Sequence, residues 1–265
     1  MRRLFMIYGM KEINSNSNKI YKLCMQLSLK KYRDRYGLYM IEGNNLISEA
    51  VKCGIEIKCV LVREDYTQDS GLKYPEPHIA GKKLFDSIAQ TETSQGIVAV
   101  VGKRALCEDD FFDLCGNGNV AVLDRLQDPG NIGTVLRTAE AAGYRGAMIL
   151  KGTGDVYSPK AVRAAAGSLF RMPVLFIETP AKALEVLKSN GKKAVCAWQG
   201  AETPYYNVHL KSDIALILGN EGNGLCQEFL KGADAKAKIP MAPCSDSLNV
   251  AVAAGIIMFE SQRQF

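Results

Sequence analysis

The sequence predicts an α/β protein built from two units, the second carrying a mainly parallel sheet. Three observations carry that reading. From residue 119 onward short apolar strands alternate with helical patterns, the rhythm of βαβ units whose sheet is covered on both faces. Three of those helices open on Asp128-Pro129, Ser158-Pro159 and Thr179-Pro180, a capping side chain followed by a proline at the first helical position. Between residues 103 and 119 the chain turns polar and glycine-containing, as KRALCEDDFFDLCGNGN. Residues 1–103 are therefore expected as one unit, 104–118 as a link and 119–265 as the other.

In the first unit Asn44–Lys52 reads as a short helix, Ile55–Val62 as a strand, Lys82–Ala89 as a helix and Gly96–Val101 as a strand, a small α/β sandwich. Lys30, Lys31, Arg33 and Arg35 cluster with Tyr32 and Tyr36 just before the strand Leu38–Glu42. Basic residues interleaved with aromatics suit phosphate contact and base stacking, so these four are the candidate RNA contacts. The same pattern also fits an exposed helix end. The link is expected to hold one helical turn around Phe111 and Phe112.

In the second unit the expected strands are Val120–Leu123, Ala147–Leu150, Val174–Ile177, Ala194–Ala197 and Ile214–Leu218. The helix after Ser158-Pro159 is expected to run to Gly167, and the one after Thr179-Pro180 to be closed by Gly191. In NIGTVLRTAEAAG, residues Ile132, Val135, Leu136 and Ala139 form a stripe that faces a core. Arg137 lies about 100° round from Leu136, off that stripe.

Composition sets limits. With 265 residues, 47% apolar and 23% charged, the chain is an ordinary globular protein with material for a buried core. No apolar run approaches the length a membrane-spanning helix needs. Leu4–Tyr8 is too short for a secretory core, so a cytoplasmic protein is expected. Cys24, Cys53, Cys59, Cys107, Cys115, Cys196, Cys226 and Cys244 form no CxxC, and His78 and His209 stand near no cysteine pair. Reduced thiols and no metal site are expected. Residues 1–104 hold 17 Lys+Arg against 11 Asp+Glu, and the rest 16 against 17. The basic half is either a solvated end or a polyanion-binding face.

Two further segments bear on chemistry. Gly219-Asn220-Glu221-Gly222-Asn223-Gly224 follows a strand, where glycines let backbone approach a ligand at the sheet's binding edge. It lacks the Gly-Lys-Ser/Thr of a phosphate loop, and no dinucleotide fingerprint occurs in the unit. The stretch Ile239–Met258, IPMAPCSDSLNVAVAAGIIM, begins as an apolar strand, breaks at Pro240 and Pro243, and enters a helix at Ser247-Leu248-Asn249. Polar residues at the mouth of so apolar a helix need partners.

Taken in order, DRLQDPGNIGTVLRTAEAAG, LILGNEGNGL and IPMAPCSDSLNVAVAAGI resemble the three signature motifs of the SpoU (TrmH-type) branch of the SPOUT RNA 2′-O-ribose methyltransferases. SPKAVRAAAGSLFRMPV is similar to that family's linking segment. IEGNNLISEAV and TSQGIVAVV resemble the RNA-substrate-binding domain that precedes it in many rRNA enzymes. The resemblance implies a deep trefoil knot near the C-terminus, a rare exception to unknotted folding. It implies S-adenosyl-L-methionine as methyl donor, held by Leu218, Gly219, Asn220, Gly222, Ile239, Met241, Leu248 and Asn249, largely through backbone groups. It implies a homodimer with the active site at the subunit interface; the apolar helix Leu248–Phe259 suits such an interface.

By position Arg137 matches the family's essential arginine, and Asn131, Glu221, Ser247 and Asn249 its other polar catalytic positions. Guanidinium is a poor proton acceptor; binding a phosphate and stabilising the developing alkoxide is the sounder role. Asn131 and Glu221 would position the arginine and the loops, Ser247 and Asn249 the substrate or donor. Three positions depart from the family pattern: Pro243 and Ala165 where glycine and serine are common, and Ala251 where serine often follows Asn249-Val250. The expected function is ribose methylation of RNA, with a guanosine of 23S rRNA as target. The alternatives are a transfer-RNA methyltransferase and a non-catalytic RNA-binding or ribosome-assembly factor. A dinucleotide-dependent oxidoreductase would need the glycine fingerprint the chain lacks.

Overall fold

The computed structural model describes residues 11–67, 74–91, 93–104, 106–243 and 247–264. Leu4–Tyr8 and Cys244, on which two expectations rest, lie outside them. The chain divides into two units: Met1–Lys103 with Tyr157–Pro159, and Arg104–Val156 with Lys160–Phe265.

The first unit runs β1 (Glu12–Ile13), α1 (Lys19–Leu27), α2 (Lys30–Tyr36), β2 (Leu38–Glu42), α3 (Asn44–Lys52), β3 (Ile57–Arg63), β4 (His78–Ala80), α4 (Lys82–Asp86) and β5 (Ile97–Gly102). Its five strands form one mixed sheet in the order β1-β4-β3-β5-β2. Cys24, Leu27, Leu61, Phe85, Val98 and Val100 are buried together in its core. Sequence periodicity left residues 19–36 without an assigned helix. Asn18 Oδ1 accepts from Ile20 N at 2.8 Å and starts α1, and Gly37, at φ 63°, ends α2.

One expectation is corrected here. Arg33 is only 4% exposed. Its guanidinium turns inward and donates to Leu27 O at 2.7 Å and Ser28 O at 2.8 Å. It satisfies carbonyls left over at the end of α1 and is not placed to meet RNA. Lys30, Lys31 and Arg35 are exposed. Lys31 lies over the Tyr32 ring at 4.8 Å, and Lys30 pairs with Asp34 at 2.5 Å.

The second unit runs α5 (Glu108–Cys115), β6 (Val120–Asp124), α6 (Pro129–Ala141), β7 (Gly146–Leu150), α7 (Pro159–Ala165), α8 (Ser168–Arg171), β8 (Val174–Ile177), α9 (Pro180–Ser189), β9 (Lys193–Ala197), β10 (Ile214–Gly219), α10 (Gln227–Gly232), β11 (Ala235–Ala237) and α11 (Val250–Arg263). Its six strands lie in the order β11-β9-β10-β6-β7-β8, every neighbouring pair parallel. β6 and β7 are buried along their whole length, and β10 in all but its last residue, Gly219, as a sheet covered on both faces requires. Asp128 and Thr179 cap α6 and α9 as their sequence positions foretold: Asp128 Oδ1 accepts from Asn131 N at 2.9 Å, and Thr179 Oγ1 from Lys182 N at 3.2 Å.

Three boundaries differ from expectation. The expected link carries more than one helical turn: α5 spans eight residues, and Phe111, Phe112 and Cys115 belong to the core of the second unit. Burying two phenylalanines stabilises that unit by roughly 3–6 kcal/mol, so the segment is part of its structure. The helix after Pro159 breaks at Ala166 and Gly167, both at positive φ, and resumes as α8. The apolar strand expected at Ile239 ends earlier, at Ala237, and Ile239 follows it in a loop.

Candidate active site

Four adjacent strands, β6, β10, β9 and β11, bring their carboxyl ends to one edge. Gly219 is in register with Asp124, and Ala237 with Ala197. The segments that leave this edge enclose a cleft of about 630 Å³, within the usual range for a small-molecule site. Its lining includes Leu218, Gly219, Asn220, Gly222, Ile239, Met241, Leu248 and Asn249, the eight positions singled out for the donor, together with Asn131, Glu221 and Ser247. Segments more than 100 residues apart in sequence meet here because parallel strands return to the same edge.

A chain of polar contacts joins the three motifs. Glu221 Oε2 accepts from Gln127 N at 3.1 Å, and Oε1 from Asp128 N at 3.3 Å and Asn131 Nδ2 at 3.1 Å. Asn131 Oδ1 accepts from Asn249 Nδ2 at 3.0 Å. Asn249 Oδ1 in turn accepts from Ala251 N and Val252 N, capping α11. Burial works to raise the Glu221 carboxyl, but the hydrogen bonds from Asn131 and from the Gln127 and Asp128 amides outweigh it and hold its pKa below the ordinary glutamate value. The ion pair with Lys160, with help from the Asn131 amide, lowers Asp128 likewise.

The glycine loop is tied at both ends. Asn220 Oδ1 accepts from Gly222 N at 3.0 Å and Asn223 N at 2.8 Å, and its Nδ2 donates to Arg125 O at 2.7 Å. A Cβ on Gly219 would come within 2.6 Å of Gly224 C and Leu225 N, so only glycine lets the loop fold back this closely. Asp124 is fully buried; it accepts from Cys226 N at 2.9 Å and from the forked guanidinium of Arg125. Arg125 stands at φ 58°, a left-handed backbone that non-glycine residues seldom adopt. That conformation directs its carbonyl to both Asn220 and Gln127.

Arg137 is placed elsewhere. It does not line the cleft, it is exposed, and it has no hydrogen-bond or ion-pair partner among the described residues. Six residues separate it from Asn131, about 9 Å along α6 and two-thirds of a turn round its axis. Two other features escaped the sequence reading. Trp198 and Gln199 line the cleft just past β9; the strand-end rule that selected Gly219 would have found them. The Asp124–Arg125 tie gave no sequence signal, since its strain exists only in the folded backbone.

The cleft suits S-adenosylmethionine: it has the right size, and its mouth offers main-chain groups and neutral amides beside the fixed carboxylate of Glu221. Among the described residues no group of His, Cys, Asp or Glu is placed to hold a metal ion, and no helix is long and apolar enough to cross a membrane.

The sheet order and the strand-edge cleft define an open α/β domain with its ligand site at the carboxyl edge of the sheet. The model of the SpoU rRNA methylase family matches residues 118–259, and that of an MRM3-like substrate-binding domain residues 18–99. The 23S rRNA (guanosine(2553)-2′-O)-methyltransferase RlmP of Bacillus subtilis is 34% identical over 94% of this chain and 98% of its own. The crystal structure of an AdoMet-bound rRNA methyltransferase from Sinorhizobium meliloti is 32% identical, with a TM-score of 0.84 over 96% of this chain and 98% of that one. The SpoU methyltransferase AviRb from Streptomyces viridochromogenes, in complex with AdoMet, is 28% identical, with a TM-score of 0.82 over 93% and 98%. The chain belongs to the SpoU rRNA methylase family. It is an S-adenosylmethionine-dependent RNA 2′-O-methyltransferase with the α/β fold of the SPOUT class.

Proposed function

We propose that this protein methylates the ribose 2′-hydroxyl of a guanosine in 23S rRNA, acting as a cytoplasmic homodimer with each active site completed by the partner. The observation that carries the reading is the meeting of Asn131, Glu221 and Asn249 in one hydrogen-bonded chain at the cleft. The similarity to a 23S rRNA guanosine methyltransferase over nearly the whole chain supports the substrate.

When bound, S-adenosylmethionine supplies a methyl group activated by its sulfonium. The rest of the work falls to the chain. Main-chain groups of Gly219, Ile239 and Leu248 hold the donor, with Leu218, Asn220, Gly222, Met241 and Asn249 shaping its pocket. Asn131 and Glu221 fix the loops against each other, and Ser247 and Asn249 orient the ribose. Arg137 binds the flanking phosphate and stabilises the negative charge on the ribose oxygen as its proton passes to solvent and it takes the methyl group, the S–CH3 bond breaking to leave the neutral thioether. Holding hydroxyl and methyl in line supplies most of the acceleration.

Two features support the dimer. Arg137 stands free of its own cleft. On the neighbouring α11, Val252 and Phe259, seven residues apart, are more than half exposed, an apolar stripe that a second copy would cover. The family's trefoil knot is part of this reading, with residues 119–265 as the catalytic domain. Residues 1–103 are read as the RNA substrate-binding domain, supported by the match over residues 18–99 and by exposed Lys30, Lys31 and Arg35.

Transfer of tritium from labelled S-adenosylmethionine to rRNA tests the activity, and mapping ribose methylation in a deletion strain against its parent identifies the nucleotide. Label that enters transfer RNA but not rRNA would overturn the substrate; no transfer to any RNA by folded protein that binds the donor would overturn catalysis.

A further inference from the structure

We propose that Trp198 is the platform on which the purine ring of the methyl donor stacks. The proposal rests on the donor reading above and deepens it.

Trp198 is the chain's single tryptophan. It lies one residue past β9, its backbone N–H bonded to Ala237 O at 2.9 Å and its carbonyl accepting from Ala201 N at 3.1 Å. The main chain is thus held on both sides, yet the indole is 37% exposed and lines the cleft. An indole left partly open beside a cavity offers a flat aromatic face on which a planar group can stack. The ring also has a defined seat. A Cβ on Gly200 would come within 2.5–2.8 Å of three atoms of the benzo ring, so the ring rests on the bare backbone of that glycine. Lys236 Nζ stands 5.9 Å from the ring centroid.

The position along the cleft selects which part of the donor meets it. β9 is separated from β6 by β10, two strand spacings or about 10 Å. The polar chain of Asn131, Glu221 and Asn249 gathers at the β6 side. Methyl transfer to a ribose belongs there. The β9 end is walled by Trp198, Ala197, Ala237 and Ile239, with the neutral amide of Gln199 beside them; Lys236 approaches the indole but does not line the cleft. The adenine is the flat, apolar end of the donor and fits this part of the cleft. Stacking of a base on an aromatic side chain is worth enough to set affinity by about ten-fold or more.

The test uses the intrinsic fluorescence of the full-length protein. Titration with S-adenosylhomocysteine should quench the Trp198 emission to saturation, with the same midpoint that calorimetry gives. Adenosine should quench it too, and L-methionine should not. Trp198→Phe should keep donor affinity within about three-fold, while Trp198→Ala and Gly200→Ala should weaken it by about ten-fold or more. KM for the donor should rise in Trp198→Ala with kcat at saturating donor nearly unchanged. If S-adenosylhomocysteine binds by calorimetry but leaves the emission unchanged, the stacking proposal fails and the donor reading stands. If the emission responds to RNA or to methionine but not to adenosine, the indole faces a different group and the proposal fails equally. If calorimetry detects no binding to well-folded wild-type protein, the donor reading itself falls. The wild-type titration decides the matter even where a Trp198 variant does not fold.

Discussion

Asn131 and Asn249, 118 residues apart in sequence, share a hydrogen bond of 3.0 Å, and the same Asn131 amide group donates to Glu221. One side chain thereby ties the start of α6 to the glycine loop after β10 and to the cap of α11. Each tie is partly exposed, so each contributes modestly to stability. Their combined effect is to fix the mouths of two helices and the glycine loop against one another.

Replacing Asn131 with alanine should cut both ties while leaving the Asp128 cap of α6 intact. We expect a loss of about 1–2 kcal/mol in urea denaturation, together with a larger fractional loss of donor affinity, read by calorimetry. Unchanged donor affinity in a stable Asn131→Ala protein would show that the relay does not hold the loops.

The pH response of Glu221 has a definite sign. Its folded pKa is held below the ordinary value, so between the folded and unfolded values the unfolded chain binds more protons and stability rises with pH. The contribution is fully present above about pH 5 and is lost as pH falls through the folded value. The stability gap between wild type and Glu221→Gln should therefore be constant from pH 6 to 8 and close on acidification. A gap that widens in acid would contradict the hydrogen bonding described for this carboxylate.

Gly219→Ala places a methyl group within 2.6 Å of main-chain atoms of Gly224 and Leu225. Backbone cannot rotate away as a side chain would, so the loop must open. Donor binding should fall beyond calorimetric detection, while the melting temperature shifts by only a few degrees because the strand beneath remains paired.

The basic cluster on α2 should separate by burial. Arg33→Ala removes two hydrogen bonds from a charged donor to main-chain carbonyls inside the first unit, and should cost about 2–4 kcal/mol. Charge reversal of Lys30, Lys31 and Arg35 together should leave the melting temperature nearly unchanged and weaken RNA binding, with a shallower dependence on salt. Equal RNA affinity in the triple variant would remove this face from the proposed RNA surface.

The proposed shared active site predicts complementation. Arg137→Ala and Asn249→Ala proteins should each be inactive alone. Co-expressed as mixed dimers, they should regain up to about a quarter of wild-type activity, because half the dimers would carry one intact site of two. Absence of recovery in verified mixed dimers would mean that Arg137 serves the cleft of its own chain.

Much of this architecture is legible before folding. Local rules mark Asp128-Pro129 and Thr179-Pro180 as helix starts, and apolar runs such as Val174–Ile177 as buried strands, since caps and periodicity act within a few residues. The eight positions expected for the donor and four of the five expected as catalytic stand in three motifs of recognisable order, and the structure brings all of them to the lining of one cleft. Arg33 was misread because an arginine's spacing says nothing of which way its side chain turns. The link was underestimated because Phe111 and Phe112 read the same whether they meet solvent or a core.

The sequence by itself determined the strand and helix order, the parallel second sheet, the basic first half and the family. Those follow from propensity, pattern and motif, all encoded within short windows. Tertiary structure alone decided that Trp198 shares a cavity with Ile239 and Asn131, that Arg125 must adopt a left-handed backbone, and that Arg137 stands away from the cleft its own helix helps to build. These are relations between distant segments, fixed by which strand ends fall side by side and by how far a helix turns in six residues.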